Sequence, residues 1–228
     1  MTLDVATENR PRAVRLRADA SRNRERIVAA AREAIVEFGP DVAFDEVARR
    51  AGVGNATLYR HFADRTELIR EVTLAVMGAT AQSAEDALAE EPDAFSALRR
   101  FAFEAAEERI GALCPLLSDV FDRQDPAVAS QVERVERSIN AIIDRAQCAG
   151  LLRTDIAVGD LMVALTQLTR PLPGAGCVGF DQFVHRHLQL FLDGLRAPAG
   201  SVLVGTAATL EDLKGPAINR SQRSPTGL

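Results

Sequence analysis

The stretch FDEVARRAGVGNATLYRHF, residues 44–62, holds two short segments separated by Gly52-Val53-Gly54. Its spacing predicts two short helices, Phe44 to Ala51 and about Asn55 to His61, in a helix-turn-helix arrangement. Gly52 supplies the positive backbone angle that such a turn needs. Ala48 is small where the two helices approach each other, and Val47, Val53 and Leu58 tie the pair together. The second helix is then left with Asn55, Ala56, Thr57, Tyr59, Arg60 and His61 on a polar and aromatic face free to meet DNA. Helical hairpins with glycine also occur in protein cores, so the pattern alone leaves a buried hairpin as an alternative.

Outward from this stretch almost every segment reads as helix. Upstream, Ile27, Ala31, Ile35 and Phe38 recur at helical spacing, with Asp19 or Ser21 able to cap the start and Gly39-Pro40 ending the run. Downstream, Asp64 stands three residues before Glu67, a capping-box spacing, and opens a helix through Leu68, Ile69, Val72, Val76 and Met77. Beyond Glu90-Glu91-Pro92 the apolar runs Phe95–Ala105, Leu113–Phe121, Val128–Ala146, Val158–Leu168 and Phe180–Leu195 each keep a helical period. No segment shows sustained strand alternation with hairpin turns. The expected fold class is all-α, with about nine helices in two domains. The expected division is a flexible basic arm (1–19), a DNA-binding domain (20–66), a larger helical domain (67–196) and a disordered tail (197–228) rich in Gly, Pro, Ser and Thr.

Charge is unevenly placed. The 228 residues carry a net charge of −5, yet residues 1–70 hold 13 basic against 11 acidic side chains, and residues 71–196 hold 11 against 19. Arg10, Arg12, Arg15, Arg17, Arg22, Arg24 and Arg26 face only Asp19 and Glu25, so the N-terminal end is suited to a polyanion. A composition of 47% hydrophobic and 26% charged residues excludes a largely disordered chain. No run of apolar residues is long enough to span a membrane, and Met1 to Arg10 lacks the apolar core of a signal peptide. Three cysteines, an odd number, make no disulfide framework. These features lead to the expectation of a soluble cytoplasmic protein.

From Arg26 to Arg70 the chain, with AGVGNATLYRHF followed by Asp64-Arg65-Thr66-Glu67-Leu68, resembles the DNA-binding domain of the tetracycline repressor (TetR) family of bacterial regulators. The chain length and an all-helical remainder containing CAGLLRTD at 148–155 are similar to that family too. The resemblance implies that Asn55 to His61 is a recognition helix in the major groove of a double-stranded DNA operator. It places Thr57, Tyr59 and His61 on phosphates or bases and Arg65 on a phosphate at a helix N-terminus. Arg60 is a candidate for guanine, and Arg26 with the other arm arginines for unspecific attraction. Two positions depart from the family pattern: Ala43 and Gly54 stand where Ser or Thr, and Ser, commonly cap the two helices.

Two short helices hold one half-site weakly, and palindromic operators are read by dimers. The last helix is apolar on more faces than one monomer can cover, and the resemblance implies a homodimer through the last two helices. Leu161, Leu165, Phe183, His187, Leu188 and Phe191 are the expected interface. The resemblance also implies an effector cavity, for which Phe101, Phe103, Leu113, Leu117, Phe121 and Met162 would make an apolar lining for a small molecule. Phe101 and Phe103, two apart on one helix, cannot both face the same core. The functional expectation is a ligand-released repressor without cofactor or metal. The alternative is a small-molecule-binding or thiol redox protein, or an enzyme, with a vestigial DNA domain.

Other motifs fare worse. Gly174-x-Gly176-x-x-Gly179 matches a dinucleotide fingerprint but follows a helix and two prolines, where a strand is required. His185 and His187 lie about 200° apart round a helix and cannot share a metal. Cys114, Cys148 and Cys177 read as small apolar fillers. No Ser-His-Asp or nucleophile-elbow pattern is present, so no catalytic residue is expected.

Overall fold

The computed structural model describes residues 12–39, 41–113, 125–170 and 180–213. Among them there is no strand, only one antiparallel bridge between Leu152 and Arg196. The chain divides into two compact units, residues 1–76 with 112–122, and 77–111 with 123–228.

The first unit is built from α1 (Arg12–Phe38), α2 (Phe44–Ala51), α3 (Asn55–His61) and the start of α4 (Arg65–Glu90). Helix α1 begins at Arg12, so residues 12–19, expected as a flexible arm, continue the helix. The cause is local: from Arg12 to Phe38 no Gly or Pro interrupts a run rich in the strong helix formers Ala and Arg. Asp19 and Ser21, offered above as caps, therefore lie inside a helix. Ile27, Ala31, Ala34 and Ile35 of α1 are buried against Val47 and Ala48 of α2, Leu58 of α3 and Phe62. Ile27, Leu58 and Phe62 are fully buried, each contributing about 1.5–3 kcal/mol. Helices α2 and α3 have the bounds that the sequence predicts, Phe44–Ala51 and Asn55–His61. Between them Gly52 adopts φ +64°, ψ 37°, and the Val53 N–H donates to Ala48 O at 3.0 Å.

Helix α4 opens on Asp64, whose Oδ1 accepts from the Glu67 N–H at 2.8 Å, while Glu67 Oε2 accepts from the Ala63 N–H at 2.9 Å. Leu68, Ile69 and Val72 are buried in the first unit, which therefore runs ten residues past the expected boundary at 66. The helix continues to Glu90, well beyond Met77, the last of the apolar residues by which the sequence marks it. Its alanine-rich second half explains both the length and the close packing: Ala81, Ala84 and Ala87 are all fully buried.

The second unit contains α5 (Ala94–Glu107), α6 (Ile110–Leu113, whose first two residues belong here), α7 (Pro126–Cys148), α8 (Val158–Leu168), α9 (Phe180–Gly194) and α10 (Leu210–Leu213). Helix α5 packs on α7, α8 and α9, and α8 packs on α7, α9 and α10. Asp93 caps α5 by accepting from the Phe95 and Ser96 N–H groups at 3.0 and 2.9 Å. Asp125, followed by Pro126 at the first helical position, caps α7.

Residues 197–213, expected as part of a disordered tail, fold back on this unit. The Gly159 N–H donates to Ala208 O at 2.8 Å, and a Cβ at Gly159 would sit 2.4 Å from that oxygen, so only glycine admits the chain there. Arg153, 7% exposed, donates to both oxygens of Asp155 (2.6 and 2.9 Å), to Gly194 O (3.3 Å) and to Ser201 O (2.8 Å). This arginine links the end of α9 to the segment that follows it. Leu117, Phe121, Cys114, Cys177 and the Gly174–Gly179 motif lie outside the described residues. Cys148, expected as an apolar filler, is exposed, because it is the last residue of α7 and lies past the buried Ala146.

Candidate nucleic-acid interface

Helix α3 presents two unlike sides. Leu58 and the following Phe62 face inward with 0% exposure, whereas Asn55, Ala56, Tyr59 and Arg60 are exposed and Thr57 and His61 half-buried. Only seven residues long, the helix cannot stand alone. Two buried aromatic and aliphatic anchors hold it, and its N-terminus rests on Gly54, which caps without a side chain. Tyr59 is 55% exposed, its ring leaning on Phe44 of α2 with centroids 5.4 Å apart. The amide Nδ2 of Asn55 donates to Asp45 Oδ1 at 2.7 Å. Arg60 lies along its own helix, donating from Nη2 to Thr57 Oγ1 at 2.9 Å and from Nε to Ala56 O at 3.2 Å.

Three arginines that the charge pattern or the resemblance offers to phosphate each donate to a main-chain carbonyl of this unit. Arg24 Nη1 donates to His61 O at 2.7 Å, at the C-terminus of α3. Arg26 Nη2 donates to Ala51 O at 2.6 Å, at the C-terminus of α2, and Arg65 Nη1 donates to Val42 O at 2.7 Å, just before α2. At the ends of α2 and α3 a guanidinium is the right group, since its donors answer carbonyls that helix C-termini leave unpaired. Arg24 does more: its guanidinium carbon lies 4.4 Å from the Phe62 ring centroid, and Nη2 stands 3.5 Å from Glu67 and 3.3 Å from Glu71. Arg26, expected at phosphate, thus spends one donor on a structural tie and is otherwise exposed. Arg65 makes one such tie and keeps its other N–H groups. On α2, hydrogen bonding from Arg49 holds the Glu46 carboxyl below its usual range.

Residues 27–72 match the family model for bacterial regulatory proteins of the tetR family, and residues 91–197 match the model for the C-terminal domain of SbtR-like transcriptional regulators. The TetR transcriptional regulator SCO0520 of Streptomyces coelicolor is 30% identical, with 77% of this chain and 99% of that one covered and a TM-score of 0.58. The chain belongs to the TetR family of bacterial transcriptional regulators. A TetR transcription regulatory protein of Mycobacterium vanbaalenii is similar at 28% identity, covering 80% and 99% of the two chains with a TM-score of 0.57. The uncharacterized HTH-type transcriptional regulator TtgW of Pseudomonas putida is 41% identical over 56 residues. That match takes in 24% of this chain and 42% of TtgW, so the chain spans less than half of that relative. Members of the TetR family are DNA-binding regulators and not enzymes, which sets aside the redox or enzymatic alternative.

The other expected sites of this TetR-family chain are placed less simply. Leu161, Leu165 and Leu188 are 1%, 0% and 0% exposed within a single chain. Expected at a subunit interface, they are spent on the core of the single chain: α8, with Leu161 and Leu165, sits among α5, α7, α9 and α10, and α9, with Leu188, packs on α5 and α8. Phe183 and Leu190 are 63% and 60% exposed, His187 between them is exposed, and Phe191 is half-buried. Phe101 is fully buried on α5 and Met162 is 9% exposed on α8. Phe103 points elsewhere, 5.3 Å edge-on from His185. Leu113 packs into the hydrophobic core of the first unit, and Phe101 and Met162 belong to the second. No group of His, Cys, Asp or Glu among the described residues could hold a metal, and no helix among them is long and apolar enough to cross a membrane.

Proposed function

We propose that this regulator is a ligand-released repressor that binds a palindromic operator as a homodimer, inserting α3 into the major groove of each half-site. The observation that carries the reading is the two-sided character of α3: Leu58 and Phe62 inward, Asn55, Ala56, Tyr59 and Arg60 outward. Thr57 and His61 flank that face, and Arg65 brings its remaining donors to the N-terminus of α4, where a phosphate is favoured. Dimerisation is supported by α9. Phe183, His187 and Leu190 fall within about 60° of one another round the helix, on an arc centred about 130° from the buried Val184, Leu188 and Leu192. A helix with two apolar arcs has one left to cover, and Phe183 with Leu190 would anchor a subunit interface. An apolar effector held in the second unit would release the operator; tenfold release needs about 1.4 kcal/mol of coupling between the two ligands.

Tyr59 is the sole tyrosine and the chain has no tryptophan, so intrinsic fluorescence reports on α3 alone. Duplexes from the region upstream of the gene should protect Tyr59 from acrylamide quenching, with an affinity that falls steeply with salt. Leu190→Arg should give monomers in sedimentation and at least about a tenfold loss of operator affinity, since one half-site alone is held weakly. Equal quenching with and without duplex in dilute buffer, or a wild-type monomer at micromolar concentration, would overturn the respective half of the proposal.

A further inference from the structure

Asn55, the first residue of α3, is held from a different helix: its Nδ2 donates to Asp45 Oδ1 at 2.7 Å, and both side chains are exposed. A primary amide that nothing holds can turn over, exchanging its oxygen and nitrogen and so reversing the order of acceptor and donor that it presents. A carboxylate can only accept, so Asp45 selects the orientation with the nitrogen toward α2, through a hydrogen bond strengthened by charge. The second amide hydrogen and Oδ1 remain available. Adenine is the base that an asparagine reads with one donor and one acceptor together, and that reading fails when the amide is reversed. Asp45 also has a cost for DNA binding. It places a negative charge beside a helix meant for a phosphate-lined groove, which weakens attraction to every duplex alike. Its neighbour Phe44 supports Tyr59, with ring centroids 5.4 Å apart, so the same end of α2 braces two outward residues of α3.

We infer that Asp45 is a positioning residue for sequence discrimination, fixing the donor and acceptor order of Asn55 so that α3 reads an adenine. The inference rests on the proposal that α3 enters the major groove. It requires Asp45 to lower affinity for DNA in general while raising selectivity, a pair of opposite effects that a purely structural residue does not produce.

The test uses the full-length protein and a pool of random-sequence duplexes, with bound molecules sequenced and unselected duplex titrated separately. Wild type should select a motif containing an A·T pair whose preference disappears in Asn55→Ala. Asp45→Ala and Asp45→Asn should flatten the preference at that pair by about fivefold or more, within the range for one bidentate contact, and bind unselected duplex more tightly. Asp45→Glu, which restores a carboxylate, should recover part of the preference. In the Asn55→Ala background, Asp45→Ala should leave base preferences unchanged and still tighten unselective binding. Asp45→Ala and Asp45→Asn proteins that keep the full preference, or that bind all duplexes equally more weakly, overturn the role of Asp45 while leaving α3 as the reading helix. A wild-type protein that selects no motif overturns the major-groove reading itself, and this inference with it.

Discussion

Replacing Arg24 by methionine removes a guanidinium and keeps most of the aliphatic stem. The charge-assisted hydrogen bond to His61 O is 2.7 Å long, but the side chain is 35% exposed, so about 1 kcal/mol is a fair share of the range for such bonds. The contact with the Phe62 ring, 4.4 Å to its centroid, adds about 1 kcal/mol. The ion pairs with Glu67 and Glu71, at 3.5 and 3.3 Å, are solvent-screened and together add about 0.5 kcal/mol. The expected loss is about 2–3 kcal/mol, or roughly 1 M in the urea midpoint for an ordinary denaturant slope. Tyr59 fluorescence follows the transition of the first unit, because no other tyrosine or tryptophan contributes. In molar salt the ion-pair share should vanish and the rest persist, so the gap between wild type and variant should narrow only slightly. Arg24→Lys should recover little, since an ammonium keeps the charge but cannot span the carbonyl and lie flat on the ring. A midpoint shift below about 0.3 M for Arg24→Met, at an unchanged slope, would refute the reasoning that this arginine ties α3 to α1 and α4.

Gly52→Ala should cost about 1–3 kcal/mol, because φ +64° is strained for alanine and the new Cβ would lie 2.8 Å from Arg26 Nη2; urea denaturation giving wild-type stability would contradict this account of the turn. Hydrogen bonding from Arg153 holds the Asp155 carboxyl at about 2, below its ordinary 3.8. A depressed carboxyl stabilises the fold above its unfolded pKa, and that stability is lost as pH falls through the folded one. Melting temperature should therefore drop more steeply between pH 4 and pH 2 in wild type than in Asp155→Asn, and parallel curves would remove Asp155 from the link between α9 and residues 197–213.

Much of the DNA-binding unit is legible in the sequence because its signals are local. Gly52 and Gly54 bracket the turn, the apolar spacing sets both faces of α3, and Asp64 with Glu67 marks the start of α4. The roles of the arginines are not legible. Arg24, Arg26 and Arg65 look alike in a basic sequence, and the carbonyl to which each donates lies 37, 25 or 23 residues away. Asp45 carries no signal for the same reason, as no periodicity marks an acid that holds an amide ten positions on. On α8 and α9 hydrophobicity is plain in the sequence and its destination is not: Leu188 and Leu190 have the same side chain, one fully buried and the other 60% exposed.

The chain's own sequence determined the helical class, the helix-turn-helix and its outward face, since side-chain period, capping residues and a glycine turn act within a few positions of themselves. Only the tertiary structure decided which arginines clamp carbonyls, which leucines remain uncovered, and how the segment after Arg196 lies against Gly159 and Arg153. Those outcomes depend on groups brought together from distant parts of the chain, where a charge or a methyl group has no fixed partner until the fold supplies one.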